Sequence, residues 1–156
     1  MRLPRGATGF RGHGDEPLAA TDRAAFLRTC HEIARRTGAR VTAVATDPMA
    51  VFEAVALTRH AETHVVLRHH HLPLLAFTAA PPAPGPPVPA PPVTGFVEPP
   101  SWASDFAPLG LRSLTVDELA TPLGRVDLGA LSDAEAAQIR YWRPGVLSEL
   151  LFNSWD

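Results

Sequence analysis

Residues 40–78, RVTAVATDPMAVFEAVALTRHAETHVVLRHHHLPLLAFT, decide the fold. Valine, threonine and other apolar residues dominate this stretch in short runs broken by turn residues, which is the pattern of neighbouring strands. RVTAVAT (40–46) alternates, and Asp47-Pro48 turns the chain. In VFEAVALT (51–58), Glu53 falls among alternating apolar neighbours. Asp47-Pro48 also suits a helix start with proline at its first position, but the valine-rich alternation favours a strand. Arg59-His60-Ala61-Glu62 then reads as a hairpin loop and THVVLRH (63–69) as the return strand. LPLLAFT (72–78) is a further strand after a bend at Pro73, which has no amide to give to a ladder and belongs at a strand start or edge. The expectation is an antiparallel meander of three to four strands.

Upstream, residues 22–37 predict a helix. Phe26, Leu27, Cys30, Ile33 and Ala34 recur at three- and four-residue spacing, with Arg23, Arg28, Glu32, Arg35 and Arg36 on the other face. Thr21 or Asp22 caps its start, and Gly38 stands where a left-handed residue ends it. Residues 1–18, rich in Gly, Arg and Pro, read as an irregular lead-in and a solvated tail.

Downstream, PPAPGPPVPAPP (81–92) holds eight prolines. With few amide donors it favours polyproline II and excludes a central strand or a helix, so it reads as a proline-rich loop. Pro86 and Pro89 have PxxP spacing, but no arginine stands beside them as an SH3-type ligand would require. Short helices follow at 102–108, 116–120, 133–142 and 145–152. Thr115/Glu118 and Ser132/Glu135 are capping boxes, and Pro144 is expected to open the last helix. The whole reads as one α+β domain over 1–156, with the meander packed by an N-terminal helix and short C-terminal helices. A chain of this length buries about 70% of its unfolded surface and needs no staple.

Composition narrows the function. All 14 basic residues are arginine, which excludes lysine Schiff-base chemistry and a P-loop. The net charge of −2 and the absence of aromatics among Arg28, Arg35, Arg36 and Arg40 argue against nucleic acid as a partner. Cys30 is the only cysteine, so no internal disulfide forms; in an apolar stripe it suits a buried thiol and a cytoplasmic, reducing setting. No leader or membrane span is expected, because no apolar run reaches either length. No GxSxG, GxGxxG, CxxC or HExxH segment is present, and Asp15-Glu16 and Asp117-Glu118 need no role beyond turn and helix-start chemistry.

Two candidate sites remain. In RHHHL, His69 and His71 share strand parity, and a His-x-His pair is half of a zinc site, with a third ligand still to be supplied. His64 has the opposite parity. The second candidate is the C-terminal stretch Tyr141-Trp142-Arg143-Pro144 and Phe152-Asn153-Ser154-Trp155-Asp156. It contains the only Tyr, the only Asn and two of the three Trp. Terminal tails are usually polar, so this one is expected to dock. Tyr141, Trp142, Arg143 and Trp155 either close the core or anchor a partner.

This ending resembles a group of small uncharacterised bacterial proteins that close with YWRP and FNxWD segments. Further echoes lie in RHHHLPLLAF (68–77) and LTVDELATPL (114–123). The resemblance implies a discrete full-length protein and carries no activity. Two function classes follow: a non-enzymatic interaction or regulatory protein, of which an immunity- or antitoxin-like partner is one form, with another protein as partner and no cofactor; or a small metal-dependent or histidine-based enzyme at His69/His71.

Overall fold

The computed structural model describes residues 1–82 and 90–156; most of the proline-rich loop, including Pro86 and Pro89, lies outside the described residues. Within them the chain forms helix α1 (Arg23–Thr37) and strands β1 (Arg40–Val44), β2 (Phe52–Arg59), β3 (Glu62–His69) and β4 (Leu74–Thr78). Two short strands, β5 (Phe96–Val97) and β6 (Arg112–Ser113), flank a 3₁₀ helix at Ser101–Leu109. Helices α2 (Val116–Leu119), α3 (Asp133–Trp142) and α4 (Leu147–Leu151) complete the order. The class is α+β, and 48–60 contains no helix: a turn at Pro48-Met49 leads into strand β2.

Strands β1 to β5 form a sequential antiparallel meander, and β6 adds to β4 in parallel. The sheet thus exceeds the expected four strands by two pairs of residues too short to leave a periodic trace. The β2–β3 ladder runs from Phe52↔His69 to Arg59↔Glu62, so the turn is only His60-Ala61, with His60 at φ 54°.

Strand parity divides the core. On one face Val55, Leu57, Val66, Leu75 and Phe77 pack under Phe26, Cys30 and Ile33 of α1 and Phe106 of the 3₁₀ helix. On the other, Phe52, Ala54, Val65 and Leu67 pack under Leu119, Leu147, Leu150, Phe152 and Trp155. β2 and β3 are therefore covered on both sides, which is why their sequences are so continuously apolar. Asp22 accepts from the Ala25 amide at 3.0 Å, and Gly38 ends α1 at φ 72°. Both capping boxes are formed.

Two expectations are corrected. The N-terminal residues are irregular but not a solvated tail: Leu3, Ala7 and Thr8 are buried, and Leu3 and Asp127 bond backbone to backbone. Pro144 does not open the last helix. Arg143 ends α3 in the left-handed region at φ 51°, and α4 starts at Leu147 after Val146 has bridged to Pro122. Among the described residues no helix is long and apolar enough to cross a membrane.

Candidate functional site

The histidine pair is separated by burial. β3 ends at His69, whose ring is fully buried beside Phe152. Its Nδ1 accepts from the amides of His71 (3.1 Å) and Leu72 (3.0 Å), so Nε2 carries the proton and donates to the Ala7 carbonyl at 2.9 Å. Burial pushes its pKa down from 6.5 to about 3. His71 lies past the strand, with Nδ1 2.6 Å from the Ala19 carbonyl and its ring centroid 6.1 Å from that of His69. A metal at His69 would have to displace backbone partners from one of its nitrogens. The described residues include no group of three or more His, Cys, Asp or Glu placed to hold a metal ion.

His69 belongs instead to a buried clasp on the N-terminal turn Gly6–Gly9. Glu135, fully buried at the third position of α3, accepts from the Gly6 amide (3.0 Å), the Thr8 amide (3.0 Å) and the Thr8 hydroxyl (2.8 Å). Asn153 donates to the Thr8 carbonyl at 3.1 Å and to the Leu150 carbonyl at 2.8 Å. Gly9, at φ 81°, has no room for a side chain: a Cβ there would lie 2.5 Å from Val51 Cγ2.

The aromatic residues of the C-terminal stretch do converge. Trp155 is buried, and its ring stacks on that of Trp142 with centroids 6.0 Å apart and planes 8° apart. Trp142, half-buried, is fixed by its indole N–H, which donates to Gln138 Oε1 at 3.0 Å. Tyr141 packs edge-on against Trp142 at 5.1 Å and is 76% exposed. Arg143 is also exposed. Core closure and surface display are thus divided between Trp155 and Phe152 on the inside and Tyr141 and Arg143 on the outside. A cavity of about 150 Å³ lies between Trp142, Pro144, Phe152, Trp155 and the chain's own Pro91 and Pro92.

A second concavity, about 420 Å³, lies where the β2–β3 hairpin meets the 3₁₀ helix, and it gathers Arg59, Glu62, His64, Ser101 and Trp102. His64 Nε2 is 3.8 Å from Glu62 Oε1, and its ring packs edge-on against Trp102 at 5.7 Å. Sequence reasoning separated His64 from the other histidines by parity but did not find this grouping. Glu62 and His64 at alternate positions of one strand were the only local signal.

Arg68 is buried over the Phe26 ring, paired with Glu53 at 2.8 Å, and it also contacts the Thr21 hydroxyl. Glu53 takes a second cation, Arg23, at 2.8 Å. This network ties α1 to β2 and β3 and has a structural role. The arginine group on α1 is partly used by the fold, since Arg36 pairs with Asp105 at 2.6 Å. No protein-family model, no curated protein and no solved structure matches this chain.

Proposed function

We propose that this protein works without catalysis, by binding another protein through Tyr141, Trp142 and Arg143 at the end of α3, in a regulatory role. The observation that carries this reading is Tyr141, exposed at 76% directly beside an indole stack that the core holds rigid. Tyr, Trp and Arg are the residue types that most often anchor protein interfaces. Anchors already fixed by packing lose little freedom on binding. An immunity- or antitoxin-like relationship is one form such a role takes. The enzyme reading at His69/His71 has less support, because both nitrogens of His69 are bonded to backbone groups.

The test is site-specific photo-crosslinking in the source cells. A crosslinking residue at Tyr141 is expected to give a discrete protein adduct that disappears with Trp142→Ala. The same residue at Arg28, exposed on α1, is expected to give none. No adduct at position 141, or equal adducts at both positions, overturns the reading.

A further inference from the structure

We infer that the cavity between the β2–β3 hairpin and the 3₁₀ helix binds a small zwitterion, a free amino acid with an apolar or aromatic side chain. Trp102, in its wall, packs on the core under α1, whereas Trp142 packs on the core of the opposite sheet face. The site is therefore separate from the surface at Tyr141.

The ladder register builds the polar side of this cavity. Leu57 stands opposite His64 and Arg59 opposite Glu62, and strand alternation turns all four side chains to one face. All four line the cavity. The two-residue turn holds Arg59 directly across from Glu62, where opposite charges ordinarily pair. They form no ion pair with each other. Among the described residues the Arg59 guanidinium has neither a hydrogen bond nor an ion pair. Glu62 Oε1 approaches only His64 Nε2, at 3.8 Å, too far for a hydrogen bond. Of the other polar lining groups, the Thr37 hydroxyl is committed to the Ile33 carbonyl at 2.8 Å. The Ser101 hydroxyl and the His64 ring make no hydrogen bond among the described residues.

A cation and an anion thus face one cavity without neutralising each other. Ala39, Leu57, Pro100 and Trp102 supply its apolar walls. Its volume of about 420 Å³ falls in the roughly 300–1,000 Å³ range of small-molecule sites. A ligand bearing only a carboxylate would be repelled by Glu62, and one bearing only an ammonium by Arg59. A molecule carrying both charges satisfies each. Arg59 can give a carboxylate two parallel N–H donors, Glu62 accepts from the ammonium, and the side chain lies against Leu57 and Trp102. The Trp102 ring is held edge-on by Phe77 at 5.6 Å and by His64 at 5.7 Å. That wall is ordered before a ligand arrives and loses little freedom on binding.

The probes are L-phenylalanine and L-leucine, with 3-phenylpropionate and 2-phenylethylamine as single-charge controls. Each is titrated into the full-length protein by calorimetry. The Trp102 indole N–H resonance, identified by its loss in Trp102→Phe, is followed in parallel. Saturable binding of at least one amino acid is expected, with the Trp102 resonance shifting and the other two indole resonances unmoved. Both single-charge controls are expected to bind about tenfold more weakly or worse. Arg59→Gln and Glu62→Gln, both at exposed positions, are each expected to weaken the amino acid about tenfold. Unchanged thermal unfolding of the two variants separates lost binding from lost fold.

No saturable binding of either amino acid, or binding indifferent to both substitutions, overturns the site. Equal binding of 3-phenylpropionate and L-phenylalanine overturns the zwitterion and makes this a plain carboxylate site. Shifts confined to the other two indoles would put the ligand elsewhere and overturn the assignment as well.

Discussion

His69 Nε2 donates to the Ala7 carbonyl at 2.9 Å across 62 positions of sequence, while the His71 and Leu72 amides on Nδ1 set the tautomer and burial keeps the imidazole neutral. With Nδ1 accepting two amides, protonation has to break a buried contact. The folded-state value of about 3 lies below the ordinary 6.5, so the unfolded chain binds the proton first. This group's contribution to stability is complete above pH 6.5 and declines as pH falls toward 3. Across that window one proton's difference lowers the folding constant by up to about tenfold per pH unit. Urea unfolding from pH 7.5 to 4 is expected to show this loss, and His69→Asn is expected to flatten it while lowering stability at pH 7.5.

Glu135 makes a second claim on the same turn. Glu135→Ala would strand the Gly6 amide, the Thr8 amide and the Thr8 hydroxyl, all buried. The expected loss is on the order of 3 kcal/mol, read from denaturant midpoints. Exchange of the amides of residues 6–9 is expected to rise more than that of β2 and β3. Uniform loss of protection across the sheet would show instead that the clasp is part of the global unit.

The Arg68–Glu53–Arg23 network separates a buried ion pair from an exposed one. Arg68 is 4% exposed at its side chain and Arg23 65%. Glu53→Ala leaves the Arg68 charge buried and unpaired and is expected to cost about 3–5 kcal/mol. Arg23→Ala is expected to cost at most about 1 kcal/mol. Thermal unfolding of the two variants checks the ratio, and equal costs would count against the burial argument.

Cys30 is fully buried between α1 and the sheet, and burial pushes its thiol up to about 12. The thiolate is the reactive form, so Ellman's reagent at pH 8 is expected to leave the folded protein untouched. Modification is expected only at the rate of unfolding, with full titration in denaturant.

Local signals carried most of the architecture. Asp22 and Gly38 mark α1, the Thr115/Glu118 and Ser132/Glu135 pairs mark α2 and α3, and apolar, β-branched runs broken by turn residues mark β1 to β4. What escaped the sequence is non-local. Glu135 announced its capping box, but nothing near it announced Gly6 and Thr8. His69 read as a candidate ligand because its partner, a backbone carbonyl, leaves no mark in sequence. Pro144 fits the start of a helix by local rules, yet its neighbour Val146 is held extended by Pro122 from another segment. The aromatic surface was legible as a composition anomaly, whereas its division into an inner and an outer half required the packing of α3 against Trp155.

The turn Gly6–Gly9 docks on α3 and on Asn153, so it finds its seat only after residues up to 153 have been made. Until then the face of β2 and β3 that carries Phe52, Val65 and Leu67 lacks its cover of Leu150 and Phe152. A nascent chain therefore displays a greasy half-sheet from the synthesis of β3 until that of α4. In a crowded cell, that interval is when a holding chaperone would matter most.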